Sequence, residues 1–311
     1  MYSIGVDIGG MSIKVGLVKD GKILESNKYK TEKTADKCIS NMIEQIMSLL
    51  KNNNLTINDI KGIGIGCPGA VSSDTGVVEF LPNLSWEKVE LTKKIQEKIK
   101  TKVALSNDAN VAALAETLYG CAKNYSTAVM FTLGTGVGGG IVIDKKLFEG
   151  GWSRGAELGH STLFLDGEQC SCGRKGCIEC YTSATALIKQ TKNEMEINKD
   201  SIMWDYVGGN IDNVDGRTAF ECEKKGDLSA KNVVDNYVRY LGESILNMLN
   251  IFRPEAFIIG GGISAQGDNL INRLKKYCEK YDYGYKDAPR TDILVATLGN
   301  DAGIIGAASL I

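Results

Sequence analysis

At 311 residues the chain is long enough for two domains of about 150 residues each. Its 36 basic and 38 acidic residues leave a net charge of −2, which argues against a nucleic-acid partner or an anionic membrane surface. No apolar run approaches the roughly 18 residues of a membrane span. No basic leader precedes the first strand, and nine cysteines, an odd number, fit a metal better than a disulfide framework, so the expected location is the reducing cytoplasm.

Residues 2–24 read as an apolar strand ending in Asp7-Ile8-Gly9-Gly10, a second strand over 12–18, a turn around Asp20 and a short third run. The period-two, β-branched alternation after the glycines predicts a strand rather than a helix. The turn is therefore a β-hairpin, and a Rossmann site, whose glycine turn opens a helix, is excluded. Further on, the apolar stripe Ile39, Ile43, Ile46, Met47 and Leu50 predicts a helix over 35–51. Residues 61–66 read as a strand stopped by Cys67-Pro68-Gly69, and 91–99 as a short amphipathic helix.

A strand over 103–106 runs directly into a helix that begins Asn107-Asp108-Ala109-Asn110. Asp108 has two readings. Asp is a favoured N-cap, which makes it structural. A carboxylate at a strand-to-helix junction near phosphate-binding turns can also accept a proton from a substrate hydroxyl.

Residues 126–148 repeat the first pattern: a strand, Gly134-Thr135-Gly136-Val137-Gly138-Gly139-Gly140, a strand, a turn around Asp144 and a short run. The recurrence suggests a duplicated unit and two related halves. Backbone amides in such turns form anion-binding concavities. Two copies, with Gly260-Gly261-Gly262 after the buried-strand run 256–259, point to a nucleotide cleft. A long helix over 230–252, stopped by Arg253-Pro254, and a final helix of small residues over 301–311 complete an α/β alternation.

The single histidine, His160, lies ten positions before Cys170, which begins the run Cys170-Ser171-Cys172-Gly173-Arg174-Lys175-Gly176-Cys177. One imidazole and three thiolates can fill a tetrahedral Zn²⁺ shell, and the glycines permit the tight turns this needs. Four cysteines in eleven residues, counting Cys180, interleaved with Gly, Arg and Lys, suit a metal loop and not a core.

The ordered set Asp7-Ile8-Gly9-Gly10, Gly66-Cys67-Pro68-Gly69, Asn107-Asp108-Ala109-Asn110, the second glycine run, Glu157-Leu158-Gly159-His160, the cysteine run and Gly260-Gly261-Gly262 resembles the ROK family (repressors, open reading frames, kinases) across residues 2–311. The resemblance implies two ribonuclease H-like domains of the hexokinase/actin-like ATPase fold with a cleft between them. The expected first domain is residues 1–117 with the last helix, 300–311. The expected second is 118–299, carrying the zinc loop 157–180. It also implies an ATP-dependent sugar kinase, glucokinase-like and acting on the 6-OH of glucose, with Asp108 as general base. Asn83, Asn107, Asp108, Glu157, His160 and Glu179 would then contact the sugar. Asp7 (near Mg²⁺), Gly9, Gly10, Ser12, Lys14, Gly134, Thr135 and Gly136 would hold the ATP phosphates, and Gly260, Gly261 and Gly262 the adenosine. His160, Cys170, Cys172 and Cys177 would bind a structural Zn²⁺, with the second imidazole nitrogen directed to the sugar, and a homodimer is expected.

One departure stands at the first turn, where the family usually has Thr and this chain has Met11. An N-acetylmannosamine kinase uses the same ligand set, although the segment Phe80-Leu81-Pro82-Asn83-Leu84-Ser85-Trp86 leans towards glucose. A sugar-responsive repressor is disfavoured because Asp7 already stands at the first turn, leaving no room before it for a helix-turn-helix. An actin-like filament or chaperone ATPase would lack the sugar ligands and the zinc loop.

Overall fold

A computed structural model describes residues 1–283 and 289–311. They form two compact units, one of residues 1–128, 140–156 and 297–311, the other of residues 129–139 and 157–296. Among the described residues no helix is long and apolar enough to cross a membrane.

The first unit opens with β1 (Tyr2–Ile8), β2 (Ser12–Lys19) and β3 (Lys22–Lys30), followed by α1 (Ala35–Asn52) and β4 (Ile60–Cys67). Next come β5 (Ala70–Ser72), β6 (Val77–Leu81), β7 (Trp86–Val89), α2 (Leu91–Lys98), β8 (Val103–Asn107) and α3 (Asp108–Leu118). Its main sheet has the order β3-β2-β1-β4-β8, with the first three strands antiparallel and β4 and β8 parallel to β1. Strands β5, β6 and β7 make a separate antiparallel sheet that the sequence pattern did not announce.

The second glycine repeat forms β9 (Ala128–Leu133), β10 (Val137–Ile143) and β11 (Lys146–Leu147). Both repeats close their second hairpin with a two-residue turn at positive φ, Asp20-Gly21 (49° and 74°) and Asp144-Lys145 (51° and 58°). Positive φ at both central positions matches the twist of the flanking strands, which is why the duplicated unit keeps this turn.

The rest of the second unit comprises α4 (Glu179–Thr182), α5 (Ala184–Ile197), α6 (Met203–Tyr206), α7 (Thr218–Lys224), α8 (Leu228–Phe252), β12 (Ala256–Gly260), α9 (Asp268–Tyr281) and β13 (Asp292–Val295), with its strands β9, β12 and β13 side by side in that order. Asp227 caps α8 by accepting from the Ala230 N–H at 2.6 Å, and Arg253 ends it at φ 42° before Pro254. The fully buried Tyr237 donates its hydroxyl to the Thr182 carbonyl at 2.6 Å, pinning α8 to α4.

The chain finishes with α10 (Ala302–Ala308), shorter than the helix expected over 301–311 and entered through a 3-10 turn at Gly299–Asp301. This helix packs on β1, β4 and α3, within the first unit. Gly5, Gly16 and Gly64 are register partners across β2, β1 and β4. A Cβ on Gly5 would sit 2.0 Å from the Ile304 carbonyl oxygen, and one on Gly64 would sit 1.7 Å from that of Ala307. The glycine row is thus what lets the helix backbone lie directly on the sheet.

Glu116 on α3 holds the chain that leads into α10. Its fully buried carboxylate accepts from the backbone N–H of Cys121 (3.0 Å), Thr297 (2.8 Å) and Leu298 (2.7 Å) and from the Thr297 hydroxyl (3.2 Å). Glu116→Ala takes a buried, charged acceptor away from these half-buried and exposed donors, at about 1–1.5 kcal/mol for each bond lost. Denaturant titration should show a loss of roughly 3–5 kcal/mol; a loss under about 1 kcal/mol would mean that the donors find other acceptors.

Candidate active site and metal centre

In the first unit the β1–β2 turn closes through the Gly9 N–H on the Ser12 carbonyl at 3.0 Å, and Thr31 fastens it by donating its hydroxyl to the Gly9 carbonyl at 2.7 Å. The Met11 side chain at the turn is 88% exposed, so it makes no demand on the core. Asp7, at the end of β1, is the register partner of Lys14 on β2. Lys14 Nζ reaches Asp7 Oδ2 at 3.1 Å and the Asn300 carbonyl at 3.0 Å. On its other side Asp7 meets Gly303 of α10, where a Cβ would lie 2.6 Å from the carboxyl carbon. Asn83 sits on the 3-10 turn Pro82–Leu84, its amide nitrogen 3.8 Å from where a Cβ on Gly10 would be.

At the β8–α3 junction the structure corrects one of the two readings of Asp108. The N-cap is Asn107, whose Oδ1 accepts from the Ala109 N–H at 2.8 Å and the Asn110 N–H at 3.4 Å, while its Nδ2 donates to the Gly69 carbonyl at 3.2 Å. Asp108 is the first helical residue, with Oδ1 accepting from the Ala109 N–H at 2.9 Å. Cap preference cannot separate Asn from Asp when they are adjacent. Cys67, opposite Asn107 on β4, is fully buried, and burial, followed by the Asp108 charge, pushes its thiol pKa far up, so it stays a neutral thiol.

In the second unit the glycine turn closes through the Gly134 N–H on the Gly136 carbonyl at 3.0 Å. Its carbonyls are held by the start of α5: the Ala184 N–H donates to Gly134 O and the Thr185 hydroxyl to Thr135 O, both at 2.8 Å. Glu179 Oε2 accepts from the Val137 N–H at 2.9 Å. Gly260 ends β12, and Gly261, at φ 80°, passes so close to β9 that a Cβ would lie 2.4 Å from the Leu133 carbonyl oxygen. The run 260–262 therefore stands beside the strand that leads into the second glycine turn.

His160 ends a 3-10 turn, Leu158–His160, and its N–H donates to the Glu157 carbonyl at 3.1 Å. Glu157 is the residue that enters this turn, at φ −74° and ψ 59°. Glu157 is exposed and His160 half-buried. The ligand atoms of His160, Cys170, Cys172 and Cys177 all lie within 4.8 Å of one another. Cys170 Sγ is 3.7 Å from His160 Nδ1, and the Cys172 and Cys177 sulfurs are 3.7 Å apart. A tetrahedral ion with metal–sulfur bonds of about 2.3 Å places two sulfurs about 3.8 Å apart, so this donor set fits one. Because Nδ1 faces the sulfur, Nε2 is the nitrogen able to present an N–H elsewhere.

The Cys170 thiol is drawn down to about 7: burial opposes ionisation, but hydrogen bonds from Cys172, Cys177 and His160 outweigh it. Burial and its neighbours push Cys177 up to about 12. Arg174 buttresses the loop from outside, donating to the His160 carbonyl at 3.1 Å and the Thr162 hydroxyl at 2.7 Å. Cys180 is not one of the four clustered ligands; its thiol is directed to the Gln169 carbonyl at 3.7 Å and lies against Cys170.

Sequence reasoning missed Glu149, whose Oε1 accepts from the Ser73 hydroxyl at 2.7 Å and the Ser106 hydroxyl at 2.6 Å. Those partners lie 76 and 43 positions away, and no local pattern marks them.

A mixed α/β chain with two glycine hairpins and a Cys₃His loop defines the class of protein. A model of the ROK family matches residues 3–311, and the chain belongs to that family. A glucokinase from Halalkalibacterium halodurans is 34% identical over 315 residues, covering 100% of this chain and 94% of that protein. The structure of a ROK family glucokinase from Streptomyces griseus, in complex with glucose and AMPPNP, is 32% identical with a TM-score of 0.81, covering 100% of this chain and 99% of that one. A xylose repressor from Bacillus subtilis is 29% identical across 100% of this chain, which spans 77% of the repressor. The fold is therefore that of the ROK hexokinase-like proteins.

Proposed function

We propose that the protein is an ATP-dependent hexose kinase that transfers the γ-phosphoryl group to a sugar hydroxyl, with the 6-OH of glucose as the first candidate. Similarity along nearly the whole length of a glucokinase supports the reaction class. The observation that carries the mechanism is the division of labour at the β8–α3 junction, where Asn107 caps the helix and the neighbouring carboxylate of Asp108 is not required for it.

In this reading the sugar oxygen attacks the γ-phosphorus, the bond to ADP breaks and the hydroxyl proton passes to Asp108. Phosphoryl transfer proceeds through a loose transition state, so the protein contributes chiefly position and charge. Asn83, Asn107, Glu157, His160 and Glu179 are assigned to the sugar hydroxyls. Gly9, Gly10, Ser12, Gly134, Thr135 and Gly136 are assigned to the phosphates, and Gly260, Gly261 and Gly262 to the adenosine. Mg²⁺, entering with the nucleotide, supplies charge neutralisation on the phosphates, and Asp7 with Lys14 is the charged pair at the first turn that would face it. Zinc is the metal assigned to His160, Cys170, Cys172 and Cys177; four protein ligands close its shell, which makes it structural. The reading also takes the protein to be a cytoplasmic homodimer.

The deciding measurement is an ATP-coupled assay across glucose, mannose, N-acetylmannosamine and N-acetylglucosamine. Glucose should give the highest kcat/KM, whereas preference for N-acetylmannosamine would move the assignment to that kinase. Sugar binding without any turnover would move it to the repressor branch. Within the same assay, Glu157→Gln should raise the sugar KM by about tenfold, because a hydrogen bond to a charged group contributes roughly 1.5–3 kcal/mol. A raised ATP KM with an unchanged sugar KM would assign Glu157 to the nucleotide.

A further inference from the structure

We propose that Glu179, beyond its assignment to a sugar hydroxyl, has a positioning role that ties the order of the metal loop to the conformation of the second glycine turn. The inference rests on the nucleotide reading of that turn.

Glu179 stands two residues after the last cysteine ligand, at the first position of α4. Its carboxylate is split between two neighbours. Oε2 accepts from the Val137 N–H at 2.9 Å. Oε1 faces the metal loop, 3.4 Å from the Ser171 hydroxyl and 4.0 Å from Cys170 Sγ. A Cβ at position 136 would fall 2.3 Å from Glu179 Oε2, so a larger residue there would have to displace this carboxylate.

The grip on the turn extends along the chain in both directions. Ala184 and Thr185, a few residues beyond Glu179, hold the carbonyls of Gly134 and Thr135. Gly159, directly before the ligand His160, presses on the other side, where a Cβ would lie 2.1 Å from the Val137 carbonyl oxygen. The turn is therefore held between the residue before the first metal ligand and the segment after the last one. A bound ion fixes Cys170 and Cys177, and through them the span that carries Ser171 and Glu179. Its loss frees that span, and the Val137 amide loses its carboxylate partner. A metal with no part in phosphoryl transfer thereby sets nucleotide affinity.

The experiment compares wild type and Glu179→Ala, each zinc-loaded and chelator-stripped, by amide exchange across residues 134–138 and by calorimetric titration with AMPPNP. In wild type, stripping should speed exchange at Val137 and weaken AMPPNP binding by about tenfold, the worth of a charge-assisted hydrogen bond. Loaded Glu179→Ala should show both changes with its zinc content intact. Stripping that variant should add less than about twofold, since members of one network are not additive. Equal effects of stripping on both proteins, or wild-type exchange in loaded Glu179→Ala, overturn the proposal.

If Glu179→Ala does not fold, Glu179→Gln takes its place in the comparison. Its carboxamide oxygen keeps the Val137 bond while an –NH₂ replaces the oxygen facing Ser171. Exchange at Val137 that no longer responds to stripping supports the coupling; a response equal to wild type overturns it. Exchange is read without nucleotide, so coupled exchange in a chain that binds no AMPPNP overturns the nucleotide reading alone. Binding of AMPPNP with uncoupled exchange overturns the role of Glu179 alone.

Discussion

Asp108→Asn should lower kcat by roughly 10²-fold or more while the melting temperature and the sugar dissociation constant stay close to wild type. The substitution keeps the shape of the side chain and its acceptor for the Ala109 N–H, a bond of 2.9 Å. The helix start is secured separately, by Asn107 on Ala109 and Asn110. What the change removes is the capacity to take a proton. Turnover should therefore fall without a matching loss of stability, and a general base contributes that much to rate. Asn107→Ala supplies the contrast: it removes the cap and should cost about 0.5–2 kcal/mol of stability. Wild-type turnover in Asp108→Asn would leave this junction without a base and rule out proton transfer to Asp108.

Purified without chelator, the protein should carry close to one zinc per chain. Cys172→Ser should lose most of it. Thiolate ligands supply much of the binding energy of a structural site, and that energy is folding energy for the loop that forms it. A loss of about 3 kcal/mol would lower the melting temperature by roughly 6–12 °C in a domain of the size of the second unit. Cys180→Ser, outside the ligand cluster, should change neither quantity. Zinc should also leave as the pH falls, because protons compete for the imidazole and the thiolates. Full activity and an unchanged melting curve in protein shown to contain no metal would reject the site.

Local patterns made much of this protein legible. The two glycine hairpins were visible because strand alternation and turn residues are short-range signals, and Asp20 and Asp144 mark equivalent positive-φ turns. The long helix at Leu228–Phe252 followed from its apolar period and the proline behind it. The Cys₃His cluster followed from donor chemistry, since one imidazole among clustered thiols has few other uses.

Other features are set by partners far away in the chain. The β5-β6-β7 sheet consists of strands of three to five residues, too short for an alternation to declare itself. Glu116 reads as an ordinary helical glutamate until residues 181 positions away bring it their N–H groups. Glu179 follows the cysteine run in sequence, but its bond to Val137, 42 positions earlier, depends on how the loop folds back.

By itself, then, the sequence determined the alternation of the elements it announces, both glycine turns and the candidate Cys₃His cluster, because each depends on backbone preference or donor type within a short stretch. Only the tertiary structure decided that Asn107, not Asp108, caps α3. The same holds for the shortened α10 seated on a row of glycines and for the two-sided carboxylate of Glu179. Those outcomes turn on which donors and acceptors packing brings within about 3 Å, a distance that no spacing along the chain encodes.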